Sequence, residues 1–379
     1  MNTVEQTKYW VWLTNLPNIT PDKITALLEH FGSITEIYAA DPDAYRDVYG
    51  IGKREIMSLS YKDLSNAEKI IDRTLTAGAR IISFDSPEYP PMLRQISAPP
   101  YVLYAKGNTL NWEELFLLGV VGTRLCDERG VEVANSFCHD LARAGVTIVS
   151  GMARGIDSLA AKAALRAGAK TVAVLGSGID IVYPPENKRL MDEIIKNGVV
   201  LTEYPPLSKA LRHHFPERNR IINGLSRGIL VIEAPGRSGS LITAAYAKNS
   251  GKDIFSVPGY MADEAWVGSN RLIQRGAKLV LSAADILEEY PDAGLFLPQT
   301  DTQPAKKPTP ADIQKSSQYQ NLRPEEQRIA MLLAEKPLHI DELVRKTNLS
   351  VSALNPMLAM MEVMGCIRKQ PGNYYKLNL

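Results

Sequence analysis

Residues 228–245 read GILVIEAPGRSGSLITAA. The apolar run GILVI stops at a turn rich in glycine and serine, and the turn opens onto a segment of helical composition. A strand that is apolar at every position fits a parallel sheet covered on both faces. The turn gathers backbone N–H groups and a helix N-terminus at one point, a favoured seat for phosphate oxygens. The same texture recurs upstream in LFLLGVVG (115–122), VTIVSG (146–151) and TVAVLGSG (171–178), each ending in glycine and leading into an amphipathic stretch. GVVLTEY (198–204) and KDIFSVPG (252–259) are two further strand candidates. This pattern predicts a doubly wound α/β domain over residues 79–290.

The flanks have other textures. Residues 1–78 carry helical periodicity, and TPDKITALLEHFG places Thr20 as N-cap, Pro21 at the first helical position and Gly32 past the end. In VYGIGKREIMSL, Gly50 and Gly52 bracket Ile51 between two helical segments. That turn is readable as a helix-hairpin-helix whose amides grip a phosphate, or as a plain tight helix–helix connection. Between the helices and the sheet, prolines at 87, 90, 91, 99 and 100 predict edge-like extended pieces rather than central strands. Residues 291–322, rich in Pro, Gln, Thr and Lys, read as a linker. Over residues 323–379 three helical patterns precede CIRKQPGNYYKL, a hairpin pattern turning at Pro371–Gly372. That is the order of a winged helix.

Composition excludes several classes. The 379 residues are 45% hydrophobic and 22% charged, and 43 Lys+Arg balance 42 Asp+Glu. Global charge gives no pull toward a polyanion, so such a site must be a local concentration of cations. One exists: between Pro205 and Arg237 lie six Lys/Arg (209, 212, 218, 220, 227, 237) against Glu217 and Glu233. Cys126, Cys138 and Cys366 are widely spaced and form no CxxC, which suits a reducing cytoplasm. Neither a signal-peptide pattern nor a membrane-length apolar run is expected. GxxxxGK[ST], GxGxxG, HExxH and GxSxG are all missing, and the five histidines lack metal-ligand spacing. No cofactor, metal or catalytic residue is therefore expected. His213 and His214 read as rim residues. Asp157, Asp180, Glu203 and Glu233 read as partners that hold basic side chains in place.

In open α/β sheets ligands bind beyond the carboxyl ends of the strands. Four such ends are predicted to supply amide donors and cations to successive phosphates. They carry Gly122 and Arg124; Ser150, Gly151, Arg154 and Gly155; Gly176 and Gly178; and Arg237, Ser238, Gly239 and Ser240. Lys188, Arg218 and Arg220 add charge, and Tyr183 and Phe215 are candidate stacking platforms for bases.

Taken together, GVVGTR, SGMARGID, VAVLGSGIDIVYPPENKRL, FPERNRIINGLS and VIEAPGRSGSLITAAYA…GKDIFSVPG resemble the DprA/Smf family of bacterial DNA-processing proteins, over roughly residues 80–290. The resemblance implies an extended Rossmann domain between a SAM-like helical domain and a winged helix. It also implies single-stranded DNA binding in natural transformation, loading of a RecA-type recombinase, and a homodimer through the Rossmann domain. By the same resemblance the DNA-contacting arginine of GTR falls on Arg124 and the lysine after YPxxN on Lys188. The SGxARGID loop becomes Ser150–Asp157, and the FPxRNR arginines become Arg218 and Arg220. One departure concerns the third winged-helix segment, Ser350–Met364, which has Pro356 and no Lys or Arg; base reading is not expected of it. The alternative reading is a phosphoribohydrolase-like enzyme with a PGGxGTxxE loop. Here Arg237 replaces the second glycine, and Thr243 stands where the glutamate is required.

Overall fold

The structure, a computed structural model, describes residues 3–291, 317–320, 322–370 and 373–377. It divides into two compact units, Met1–Pro298 and Gln299–Leu379.

The first unit opens with five helices: α1 Thr3–Thr14, α2 Pro21–Phe31, α3 Ile34–Ala39, α4 Lys53–Ser60 and α5 Ser65–Thr76. Helix α2 starts at Thr20 and stops at Gly32, whose φ of +83° and amide bond to the Leu28 carbonyl close the last turn. The strands and helices that follow are β1 Arg80–Ser83, β2 Val102–Gly107, β3 Leu117–Gly122, α6 Glu128–Arg143, β4 Thr147–Ser150, α7 Ile156–Arg166, β5 Thr171–Val174, α8 Lys188–Asn197, β6 Val199–Thr202, α9 His214–Leu225, β7 Gly228–Ile232, α10 Ser240–Asn249, β8 Asp253–Ser256, α11 Val267–Gln274, β9 Lys278–Leu279 and α12 Ala283–Leu287. All six apolar runs singled out in the sequence are strands.

With β1, β2 and β9 these six strands form one nine-stranded sheet in the order β1-β2-β6-β5-β4-β3-β7-β8-β9, parallel from β6 to β9. The strand order reverses between β3 and β7, which pair in register from Leu118↔Gly228 to Gly122↔Ile232. That reversal creates the crevice in which such sheets hold ligands.

The proline-rich stretch departs from expectation. β1 is an edge strand, but β2 lies inside the sheet, antiparallel to β1 on one side and to β6 on the other. Pro99 and Pro100 precede the strand, so neither removes a ladder donor, and Val102–Ala105 are fully buried. This antiparallel extension carries the helical segment. Trp10 stacks on Tyr101 with ring centroids 5.7 Å apart, and α1, α2, β2 and α8 share one apolar cluster.

The GIG turn lies between a 3-10 turn (Pro42–Asp47) and α4. Its Gly52 amide donates to Glu55 Oε2 at 2.9 Å, and Glu55 pairs with Lys23 at 2.5 Å. These bonds hold the Glu55 carboxyl at about 2. A carboxylate of the chain thus occupies the place a phosphate would take, so the turn is a tight helix connection.

In the second unit the helices Pro324–Glu335, Ile340–Thr347 and Val351–Val363 pack with a three-stranded sheet of Leu338–His339, Tyr374–Leu377 and Ile367–Gln370. This is the expected winged helix. The hairpin turn at Pro371–Gly372 and most of the 291–322 linker lie outside the described residues, although Ser317–Gln320 is helical.

Candidate nucleic-acid interface

A cleft of about 370 Å³ opens at the β3/β7 switch point. Its walls are the strand ends themselves: Gly122–Arg124 after β3, Ala153 and Asp157 after β4, and Pro235–Ser240 after β7. Helix α9 and the chain before it close the cleft with Arg212, Phe215, Pro216, Arg218 and Asn219. A larger hollow of about 670 Å³ runs along the far flank of α10 and the first residues of β8. It lies away from the switch point, and two of its five cations are spent. Lys252 Nζ donates to the carbonyls of Asn223, Gly224 and Ser226, and Lys278 pairs with Glu289.

Three exposed arginines converge on the smaller cleft. The Arg124 guanidinium lies 4.9 Å from the centroid of Phe215, whose ring packs on Tyr183 at 5.4 Å. This cation–π contact anchors the guanidinium beside the ring, and its N–H groups remain available to an anion. Arg212 and Arg237 make no salt bridge among the described residues. Helix α10 presents its N-terminus between them. Gly239 lines the cleft with nothing within 4 Å of the position a Cβ would take, and the hydroxyls of Ser238 and Ser240 lie 2.7 Å apart. Behind them Thr243 is fully buried and its hydroxyl has no partner.

The other glycine loops do a different job. The Gly151 amide donates to Asp157 Oδ2 at 3.1 Å, the Gly178 amide to the Ser208 carbonyl at 2.8 Å, and the Thr123 amide to the Glu233 carbonyl at 2.8 Å. Ser150 is buried and donates to the Val120 carbonyl at 2.7 Å. Cβ atoms at Gly122 and Gly155 would lie 2.1 Å from the Ile232 carbonyl and 2.3 Å from the Thr123 carbonyl. A Cβ at Gly176 would come within 3.1 Å of the Phe215 ring. These glycines let the strand ends pack closely, so Ser150, Gly151 and Gly178 lack the free donors expected of them.

The remaining cations divide by exposure. Lys188 pairs with Asp192 at 2.8 Å, and Arg154 with Glu186 at 2.5 Å, both on the open surface. Such pairs are held by roughly 0–1 kcal/mol and yield to a stronger anion. Arg218 is 3% exposed, its guanidinium donating to the carbonyls of Gly151 (3.0 Å) and Val174. Burial pushes it down to about 10 against the opposing pull of Asp157. Arg220 is paired with Glu203 in a largely buried contact. Neither stands as a free surface cation, contrary to the sequence expectation. Of the predicted carboxylate partners, Glu203 pairs with Arg220, whereas Asp157 favours the Arg218 charge only through space and makes no ion pair with it among the described residues. Asp180 instead accepts from the Leu207 amide at 2.9 Å, and Glu233 from the Asp127 amide at 3.1 Å.

His213 is exposed and its ring packs edge-on against His214 at 4.6 Å, while His214 bonds the Gly176 carbonyl at 3.1 Å and stacks on Tyr204. Among the described residues no His/Cys/Asp/Glu group could hold a metal ion, and no helix is long and apolar enough to cross a membrane. Sequence reasoning did not assign Arg212, Asn219 or Thr243 to the site. Arg212 precedes α9 with no glycine loop to mark it. Thr243 is one turn inside α10, where a hydroxyl ordinarily reads as helix filler.

Comparison with known proteins agrees with this geometry. Residues 80–291 match the family described as DNA recombination-mediator protein A, and residues 305–373 match the DprA winged helix domain. Protein Smf of Synechocystis is 32% identical, the alignment covering 97% of this chain and 98% of that protein. DNA processing protein DprA of Streptococcus pneumoniae is 46% identical over 53% of this chain and 71% of its own. The crystal structure of DprA from Streptococcus pneumoniae superposes with a TM-score of 0.67 at 36% identity, covering 76% of this chain and 99% of that one. A Helicobacter pylori DNA processing protein A, described for its single-stranded DNA binding mode, gives 0.51 at 26% identity over 56% and 94%. The chain belongs to the DNA recombination-mediator protein A (DprA/Smf) family.

Proposed function

We propose that the protein binds single-stranded DNA in the switch-point cleft and shields it during natural transformation, without cutting it. One observation carries this reading: Arg124, Arg212 and Arg237 line one cleft at the start of α10, and none of the three makes a salt bridge among the described residues. Arginine forks onto phosphate oxygens, and the positive end of the α10 dipole favours an anion there, although the amides of Ser240, Leu241 and Ile242 are themselves bonded within the chain. Lys188 and Arg154 extend the cation track along the rim once their surface carboxylates give way. Because these contacts reach sugar-phosphate rather than base edges, binding is sequence-tolerant. The ring of Phe215 is already covered by Arg124 and Tyr183, so bases stack on this cluster's outer edge.

The carboxylates support a binding protein over an enzyme. Asp157 is the one acid lining the cleft among the described residues, and it is buried and bonded to the Gly151 amide. The glutamate position of a phosphoribohydrolase loop holds buried Thr243. Among the described residues lining the cleft, no carboxylate or imidazole stands free to activate water on a nucleotide. By its resemblance to the family the proposal extends to loading of a RecA-type recombinase, a homodimer through the Rossmann domain, and action in the cytoplasm. The division of labour we propose gives residues 79–290 the DNA site, with a helical module at 1–78 directly before it and a winged-helix module at 323–379 joined to it through the linker 291–322.

Fluorescence anisotropy with labelled oligo-dT and its duplex, over a salt series, tests the reading. Tighter single-strand binding that weakens with salt is expected. Indifference to oligo-dT, or release of adenine from AMP, overturns it.

A further inference from the structure

The FPERNR segment at the start of α9 reads as a row of phosphate-binding arginines, but its side chains point inward. Phe215 lies under Arg124. Arg218 reaches beneath the sheet ends to the carbonyls of Gly151 after β4 and Val174 at the end of β5. Asn219 donates to the Gly239 carbonyl at the start of α10, at 3.4 Å. Arg220 ties back to Glu203 after β6. One helix turn therefore touches five of the segments that shape the cleft or adjoin it.

Arg218 is at the centre of this arrangement. It is 3% exposed and Asp157 8%. Asp157 accepts from the amide of the residue whose carbonyl Arg218 holds. Gly151 is thus gripped on both sides of its peptide unit. A Cβ there would lie 2.3 Å from Arg218 Nη2 and 2.6 Å from Asp157 Oδ2, so no larger residue fits between them. The backbone past Gly151 then runs through Met152 at φ +53° and Gly155 at φ +69°. Gly155 passes against Thr123 and Arg124.

We infer that Arg218 is a positioning residue of the DNA cleft and not a phosphate contact: with Asp157 on the Gly151 amide and Arg218 on the Gly151 carbonyl, it fixes the β4 loop on which the backbone of Arg124 rests. This rests on the single-strand reading above for its functional readout, though not for its structural one. Both carbonyls are bonded by Nη1, at the far end of the guanidinium, whereas a lysine ammonium offers a point charge with a shorter reach. Removing Arg218 alone would strand Asp157 as a buried unpaired charge, so the charge-matched double variant is part of the test.

The experiment uses full-length protein, wild type and three variants: Arg218→Lys, Arg218→Gln, and Arg218→Gln with Asp157→Asn. Oligo-dT affinity is measured over a salt series, with Arg237→Ala as the contact control. Each phosphate neutralised on a single strand contributes about 0.7 to the slope of log K against log salt. Arg237→Ala should lower the slope by about that amount. The Arg218 variants that fold should bind roughly tenfold more weakly with the slope unchanged, since a misplaced site loses strength while its contacts remain. A slope reduced as in Arg237→Ala, or full affinity in Arg218→Lys, overturns the inference. Hydrogen exchange of segments 121–126 and 150–157 is the second readout and needs no DNA. Exchange should quicken in both segments in Arg218→Lys, and unchanged exchange overturns the positioning role. Wild-type protein that ignores oligo-dT defeats the DNA reading instead, and leaves the exchange result to decide this one.

Discussion

At the scale of single residues, the site distinguishes cations that are free from cations that are spent. Arg124 is exposed yet oriented by the face of Phe215, so its charge costs little entropy to aim. Arg124→Ala should weaken oligo-dT binding at least about fivefold, a loss of roughly 1 kcal/mol, and Arg124→Lys should recover only part of it because lysine neither forks nor stacks as well. A gel-shift titration of both variants checks this. Glu233 makes a separate prediction. It sits at φ +45° at the end of β7, fully buried, accepting from the Asp127 amide. Burial, with Asp127 and Asp263 nearby, raises its carboxyl from 4.5 to about 7. In this range the native state holds a proton that the unfolded chain has released. The group's contribution to stability is therefore most favourable below the unfolded value and is lost as pH rises from about 4.5 toward 7. At roughly 1.4 kcal/mol per pKa unit, that loss is at most about 3 kcal/mol. Thermal melts from pH 5 to 8 should show stability falling with pH, and Glu233→Gln, which cannot ionise, should flatten the slope. A variant that keeps the wild-type slope would assign the effect to other groups.

At the scale of elements, glycines that look alike in the sequence do opposite work. Gly155 starts α7 at φ +69°, and a Cβ would meet the Thr123 carbonyl at 2.3 Å and the Arg124 backbone at 2.8 Å. Gly239 starts α10 at φ −62° with open space around it. Gly155→Ala should destabilise the fold by about 2–4 kcal/mol, through left-handed backbone strain plus a contact that only backbone movement relieves. Gly239→Ala should change stability by less than about 0.5 kcal/mol. Denaturant titration separates them, and equal effects would refute the distinction. The winged helix follows the same element-level reasoning. Its helix Val351–Val363 exposes Val351 and Met360 and carries no Lys or Arg. The nearby cations Arg368 and Lys376 are on the wing strands. Arg368→Ala with Lys376→Ala should therefore change oligo-dT affinity less than about twofold, measured beside the Arg124 variants.

At the scale of the whole molecule, much of the architecture was legible because parallel strands buried on both faces leave unbroken apolar runs. GILVI, VTIVS and TVAV could be read without knowing their neighbours. The place of β2 was not legible, since the prolines that suggested an edge fall just outside the strand. The candidate site was legible as a set of loops but not as a set of roles. Arg218 and Arg237 carry the same charge and both follow helix or strand boundaries, and only the packing of α9 beneath the strand ends makes one structural and leaves the other free. Arg212 enters the cleft through a chain crossing that has no motif. The last prediction depends on this partition. A net charge of +1 over 379 residues supplies almost no long-range attraction beyond a Debye length of about 8 Å at physiological salt, so binding must come from the local cations. If Arg124, Arg212, Arg237, Lys188 and Arg154 are those that meet phosphate, the slope of log K against log salt on oligo-dT should be near −3.5, at about 0.7 per contact. A slope near −5 would return Arg218 and Arg220 to the interface as contacts. A slope near zero would mean that the cleft holds something other than a polyanion.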